Sequence, residues 1–332
     1  MPFHPSQLRV NPGDPEPLRH HRTDATLGLG DRATALQKLA DLLPQLRELH
    51  DRLYAQRTWS LLVILQAMDA AGKDGIVKHV LAGFNQQSCH VSAFGPPAGA
   101  ELSHTFLWRC VAQLPARGQI GVFNRSYYEE VLVPRVHPDY IGPQRLPGAC
   151  LAADPTRAAN AKHLAAAKPI ADGPKPAAPN PKPKTRNAKL DFPSREFWQG
   201  RFDDINAFER HLVRNGTHVV KLFLNLSPEE QKKRFLVRIN DPARNWKFSP
   251  NDARDRRNWQ DYHQAYNEML SATSTPWAPW HILPADHKYV ARLAAGLTLQ
   301  HELRALHPQF PRLDPAAKHD LSRAKALLER EK

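Results

Sequence analysis

The run Ser60-Leu-Leu-Val-Ile-Leu-Gln66 is apolar at five successive positions. A strand that is apolar on both faces has to be covered on both, which is the condition of a strand inside a parallel sheet. Further strands are expected at 119–123, a buried run, and at 218–226, with 90–94 and 280–283 as candidates. Between them the spacing changes to a helical one, at 76–84 and 103–114. Ahead of the first run, Leu36, Leu39, Leu42, Leu43, Leu46, Leu49 and Leu53 return at steps of three and four. This predicts an amphipathic helix over 31–56, with Pro44 a candidate break. Strands alternating with helices predict an α/β fold, a parallel sheet between helical layers.

Two stretches stand apart. Residues 1–30 have no hydrophobic period and read as an arm. Residues 151–190 hold twelve Ala, seven Pro and eight Lys/Arg against two Asp, and few large apolar groups. Such a segment cannot offset its ordering entropy and is expected to be a disordered insert. It divides the core into 31–150 and 191–305, leaving 306–332 as a C-terminal extension.

Several functional classes are excluded or weakened. An apolar run of five is far short of the ~20 residues that cross a bilayer, and the first 17 residues lack the apolar centre of a secretory signal. The three cysteines, Cys89, Cys110 and Cys150, show no CxxC spacing, so a reducing, cytoplasmic setting is expected. With 46 Lys+Arg against 33 Asp+Glu the net charge is +13. That suggests an anionic partner: nucleic acid, an acidic surface or a polyanionic substrate. No RRM, KH or finger motif supports specific nucleic-acid binding.

Three motifs carry chemistry. Gln66-Ala-Met-Asp-Ala-Ala-Gly-Lys-Asp-Gly75 lies between a strand and a helix, where GxxxxGK[ST] loops hold phosphate on backbone N–H groups. The spacing is kept, but Ala67 replaces the first Gly and Asp74 the Ser/Thr. The candidates are Ala70, Ala71, Gly72, Lys73, Asp74 and Gly75 as the phosphate cradle, and Asp69 as a ligand for Mg²⁺, a cation that prefers carboxylate and phosphate oxygens. The plain alternative is a strand-to-helix turn with a solvated Lys and a capping Asp. The second motif, Phe123-Asn-Arg-Ser-Tyr-Tyr-Glu-Glu130, leaves another strand at the end where α/β sites gather. Arg125 there is either a phosphate clamp or the partner of Glu129 at i+4. The third, Gln231-Lys-Lys-Arg-Phe-Leu-Val-Arg238, sets Arg234 and Arg238 on one helical face, either solvated or closing over phosphate.

Together these pieces resemble the polyphosphate kinase 2 family. The matching strings are LQAMDAAGKDG (65–75), HTFLWR (104–109), GQIGVFNRSYYEEVLVPRVHP (118–138), FDDINAFERHLVRNGTHVVKLFLNLSPEEQKKRFLVRI (202–239), NWKFSPND (245–252), WQDYHQAYNEMLSATSTPWAPWHILPAD (259–286) and KYVARL (288–293). They occur in family order over most of 31–305. The resemblance implies a three-layer α/β/α P-loop kinase core with a helical lid at about 228–262. It implies Mg²⁺-dependent transfer, with Mn²⁺ an alternative, of the terminal phosphoryl group of inorganic polyphosphate to a nucleotide, or the reverse. By the same resemblance Asp69 is the metal ligand, and Lys73, Arg125 and Arg135 bind phosphate. Lys232, Arg234 and Arg238 form the basic face of the lid, beside Lys247. The family also implies a homodimer or homotetramer.

Two departures qualify this. Many members begin the second motif with Asp-Arg-Ser, where this chain has Asn124, a weaker Mg²⁺ ligand. Asn124 with Glu129 resembles the class III members, which accept nucleoside mono- and diphosphates, here AMP and ADP and by extension GMP and GDP. Ala67 replaces a frequent Gly, and its methyl group is either tolerated, as small residues are in many relatives, or crowds the backbone's approach to phosphate. Two other readings stay open: an ATP-dependent P-loop kinase of a small substrate, and a catalytically inactive polyanion-binding protein, for which Ala67 and Asn124 are the support.

Overall fold

The computed structural model describes residues 3–147 and 193–331. Five strands form one sheet: β1 (Ser60–Gln66), β2 (Cys89–Ala93), β3 (Ile120–Asn124), β4 (Thr217–Asn225) and β5 (Trp280–Pro284). Their order is β2-β3-β1-β4-β5, and all four pairings are parallel. The central strand β1 is buried along its whole length. Its side chains divide by parity: Leu61, Val63 and Leu65 enter one core, Leu62 and Ile64 the other. Burying each such side chain contributes roughly 1.5–3 kcal/mol, so both layers are needed.

One layer is α1 (Arg32–Gln56), α2 (Lys73–His79) and, from late in the chain, α7 (Lys288–Ala305). The Asp31 carboxylate caps α1 by accepting from the Thr34 N–H at 2.8 Å. The helix does not break at Pro44. Pro44 is exposed, and Leu42 and Leu46 on either side of it are buried, so packing outweighs the lost hydrogen bond. Gly296 lets α7 press onto α1: a Cβ there would lie 2.8 Å from Leu42 Cδ2.

The other layer is α3 (Arg195–Arg214) and α6 (Trp259–Thr273). Between them the fully buried Lys221 ammonium donates to Glu209 Oε2 and to the Thr273 carbonyl, both at 2.6 Å. Glu209 Oε1 also accepts from the hydroxyls of Tyr127 at 2.9 Å and Tyr128 at 2.7 Å. This network ties the second motif to β4, α3 and α6. The stretch after β4 holds α4 (Pro228–Asn240) and α5 (Pro250–Asp255) and lies over the carboxyl ends of the strands. A last helix, α8 (Pro315–Leu328), has no buried residue.

The elements depart from expectation at three places. The helix expected over 76–84 is Lys73–His79, because Gly72 with φ of 115° opens it earlier; a 3₁₀ turn, Leu81–Gly83, follows. The helix expected over 103–114 shrinks to Trp108–Val111, preceded by a 3₁₀ turn, Gly99–Ser103. The described part of the arm is packed down. Leu8, Val10, Leu18 and Leu29 are buried, and the Val10 N–H donates to the Trp280 carbonyl at 2.9 Å. The insert 151–190 lies outside the described residues.

Candidate functional site

The carboxyl ends of β1 and β3 lie side by side, Leu65 in register with Asn124, so the loops that leave them meet. In the first loop the left-handed conformations fall at Ala70 (φ 62°) and Gly72 (φ 115°). Ala67 is buried with the core and is not among the left-handed residues. A glycine is therefore not required there by the backbone conformation. Lys73 folds back over the loop, its Nζ donating to the Ala67 carbonyl at 2.8 Å.

The second loop begins with Arg125 in a left-handed conformation, φ 65°, held by its N–H to the Leu65 carbonyl at 3.1 Å. Strained backbone of this kind persists where the surroundings over-determine it. Arg125 Nη2 donates to Asp69 Oδ1 at 2.6 Å, and Nη1 lies 4.0 Å from Glu129 Oε2. Asn124 Nδ2 donates to Asp74 Oδ1 at 3.0 Å. Asp69, Lys73, Asp74, Asn124, Arg125 and Glu129 thus form one cluster.

The electrostatics are those of a phosphate site. Burial pushes the Asp69 carboxyl up, but Lys73 and Arg125 outweigh it and hold the group below the usual carboxylate range. Burial lowers the Lys73 ammonium, against the pull of Asp69. Burial raises the Glu129 carboxyl, with Arg125 opposing.

From above, α4 reaches the loop on its carbonyl side. Arg234 Nη1 donates to the carbonyls of Ala70 at 3.1 Å and Ala71 at 2.8 Å. Its Nη2 donates to those of Ala285 at 2.6 Å and Asp286 at 3.0 Å, and its Nε to Glu230 at 2.9 Å. All three nitrogens are engaged, so Arg234 braces the loop in this state. Gln231 Nε2 adds a bond to the Asp69 carbonyl at 3.0 Å. Arg238, one turn on, lies 3.9 Å from Asp252 and helps to lower the Asp69 carboxyl. Lys232 lines an outer groove with Glu229, Lys233 and Leu236, since two residues turn a helix by about 200° from Arg234. Arg135 also points away, paired with Glu268 and stacked 5.2 Å from Trp198. Of Lys247 only the backbone is described, in a 3₁₀ turn.

A cavity of about 630 Å³ opens from the cluster. Asp69, Arg125, Glu129, Asp252, Arg254 and Arg256 line it. So do Phe94, Pro97, Arg109 and Gln144. Arg109, Arg254, Arg256 and Glu130 escaped the sequence reading. The string HTFLWR contains Arg109, but nothing in its spacing shows which way the side chain turns.

Among the described residues no group of three or more His, Cys, Asp or Glu is placed to hold a metal. An ionised carboxylate beside the glycine–lysine loop nonetheless suits Mg²⁺, which is commonly held by one or two carboxylates together with substrate phosphates. Asp69 fits that donor set.

A parallel sheet of this order, with a glycine–lysine loop opening a helix and an arginine and an ionised aspartate at its carboxyl edge, defines a P-loop kinase, an α/β phosphotransferase. The chain belongs to the polyphosphate kinase 2 family, whose model matches residues 30–147 and 187–311. It is 38% identical over 321 residues to an ADP-polyphosphate phosphotransferase of Rhodopseudomonas palustris, covering 97% of each chain. It is 32% identical to an AMP/ADP-polyphosphate phosphotransferase of Meiothermus ruber, covering 94% of this chain and 97% of the relative. The crystal structure of polyphosphate kinase 2 from Arthrobacter aurescens TC1 superposes with a TM-score of 0.76 at 35% identity, covering 97% of both chains. No helix among the described residues is long and apolar enough to cross a membrane.

Proposed function

We propose that this chain is a polyphosphate:nucleotide phosphotransferase. It moves the terminal phosphoryl group of inorganic polyphosphate to nucleoside mono- and diphosphates, AMP and ADP with GMP and GDP as further acceptors, and runs in reverse. The observation that carries this is the meeting of Lys73, Arg125 and Asp69 at the mouth of a nucleotide-sized cavity. The names of the relatives agree with it.

Phosphoryl transfer depends on positioning and charge neutralisation more than on covalent chemistry. A terminal phosphate oxygen of the nucleotide attacks the terminal phosphorus of polyphosphate in line. The bridging P–O bond breaks, and the shortened chain leaves with the bond's electron pair. The loop N–H groups of 70–75 and Lys73 hold the transferred group, and Arg125 takes up charge on the equatorial oxygens. Lys73 leaves its present carbonyl for phosphate, a stronger, charged acceptor. Arg238 closes the lid side over the chain, and Asn124 and Glu129 border the acceptor's phosphates and admit the shorter monophosphate. Asp69 would hold Mg²⁺, or Mn²⁺ in its place, which supplies charge neutralisation between phosphates. The protein works as a homodimer or homotetramer in the cytoplasm, a setting that suits its free, buried Cys89 and Cys110, whose thiols burial pushes up to about 11 and about 12.

The test is an assay with purified protein, Mg²⁺ and long-chain polyphosphate, offering AMP, ADP, GMP and GDP separately. ADP and ATP formed from AMP support the reading with its mono- and diphosphate scope. ATP from ADP alone keeps the activity and removes that scope. ATP consumed with a small acceptor and no polyphosphate would favour an ATP-dependent kinase.

A further inference from the structure

The cavity wall includes two side chains with a polar atom whose bonding is incomplete. Arg109 comes from the four-residue helix Trp108–Val111 and is 7% exposed. Its Nη1 donates to the Gly95 carbonyl at 2.6 Å and to Glu101 Oε2 at 3.3 Å, and its guanidinium lies 5.6 Å over the Phe94 ring. These contacts fix the fork. Nη2 is buried with no hydrogen-bond partner among the described residues. Glu130 is equally constrained: its Oε2 accepts from Gln144 Nε2 at 2.7 Å and from Arg201 Nη1 at 3.3 Å. Its Oε1 forms an ion pair with Arg109 Nη2 at 3.7 Å, beyond hydrogen-bond reach, and accepts no hydrogen bond among the described residues. A charged donor and a charged acceptor therefore sit side by side, on residues that line the cavity.

Buried polar groups left unpaired in a native site call for an explanation, and a ligand that completes them is one. The ligand has to present an acceptor next to an N–H donor, with a flat apolar body to lie against Phe94, Pro96 and Pro97. Purine bases have that edge: N1 beside the N6 amino group in adenine, and O6 beside N1–H in guanine. Asp69 and Arg125 line the same cavity, so a nucleotide with phosphates at the loop can reach Arg109 and Glu130 with its base. We propose that Arg109 and Glu130 read the hydrogen-bonding edge of the purine, Arg109 Nη2 donating to the ring acceptor and Glu130 Oε1 accepting from the adjacent N–H. They are specificity-determining residues for the acceptor nucleotide. This rests on the reading of the site as a nucleotide phosphotransferase and adds the base contact to it.

The experiment is calorimetric binding of nucleoside diphosphates to the full-length wild-type protein without polyphosphate. ADP is compared with its 1-deaza analogue, which lacks the ring acceptor, with purine riboside diphosphate, which lacks the amino donor, and with 7-deaza-ADP, which keeps both. The first two should bind roughly tenfold more weakly, the loss of one charge-assisted bond, and 7-deaza-ADP should bind like ADP. In Arg109→Met the penalty of the 1-deaza analogue should vanish, while KM for polyphosphate stays unchanged. The wild-type comparison stands even if that variant fails to fold. Equal binding of ADP, its 1-deaza analogue and purine riboside diphosphate overturns the proposal. So does an Arg109→Met protein that still discriminates between ADP and its 1-deaza analogue. A wild-type protein that shows these preferences but transfers no phosphate would refute the proposed activity and leave the base contact in place.

Discussion

Arg234 holds Ala71 from behind, its Nη1 donating 2.8 Å to the Ala71 carbonyl. The contact turns the loop's carbonyls toward α4, and where carbonyls turn one way, peptide N–H groups turn the other. A guanidinium that donates to loop carbonyls can in this way set the geometry of the loop's N–H groups. Replacing Arg234 by Met should lower kcat/KM for every acceptor alike and lower the melting temperature by several degrees. Arg238→Ala removes a group that helps to lower the Asp69 carboxyl, and should raise KM for polyphosphate or lower kcat with the melting temperature unchanged. Kinetics and calorimetry on the two variants separate a brace from a contact. Identical profiles would undo the distinction.

Among the described residues Lys73 donates its hydrogen bonds only to loop carbonyls. Lys73→Ala should leave the circular dichroism spectrum intact and reduce kcat by roughly 10²–10³-fold, as for loss of a group aimed at developing charge. Unchanged kcat would remove the loop from the mechanism.

Asp69 is held ionised by Lys73 and Arg125 against the effect of burial. Chelation of divalent cations should stop transfer reversibly. Asp69→Asn should raise the Mg²⁺ concentration needed for half-maximal rate by about tenfold or more, the equivalent of a lost charged ligand. An unchanged Mg²⁺ titration would place the metal elsewhere.

Lys221 and Glu209 form a fully buried ion pair at 2.6 Å. Lys221→Met leaves Glu209 with two tyrosine hydroxyls and no cation. The expected loss is about 3–5 kcal/mol, as for breaking one side of a buried pair, read from the urea midpoint. The second motif hangs on the same tyrosines, so activity should fall with stability.

His50 and His281 are buried, and burial lowers each to about 4 from an ordinary 6.5, for His281 against the pull of Glu302. The unfolded chain takes up these protons first. Stability should therefore fall as pH drops from about 6.5 toward about 4. Glu302 works in the next window: burial would raise it, but His218 and the other cations outweigh this and bring it to about 2. Its stabilisation is present above its ordinary pKa near 4.5 and is lost as pH falls toward 2. Urea midpoints across pH 3–8 test this, and His281→Gln should flatten the upper part of the slope.

The strands and the loop were legible because local pattern carries them. A run apolar at every position permits little besides a doubly covered strand, and a glycine–lysine pair between strand and helix marks the place where N–H groups converge. Leu61 through Leu65 and Gly72-Lys73 could be read in this way one window at a time. The length of α2 and the collapse of 103–114 could not, since Gly72's left-handed angle and the packing around Trp108–Val111 come from contacts distant in sequence.

The sequence by itself determined an α/β chain with a central parallel sheet, a phosphate loop at 67–75 and an excess of cations suited to a polyanion. Only the tertiary structure decided what each cation bonds to. Arg125 pairs with Asp69, Lys73 and Arg234 donate to carbonyls, Arg135 pairs with Glu268, and Lys232 lines an outer groove. The reason is physical. A strand's burial is written into its own side chains. The direction of a long, charged side chain is set by whichever acceptor the fold brings within about 3 Å, and for Arg109, Arg125 and Arg234 those acceptors come from other segments of the chain.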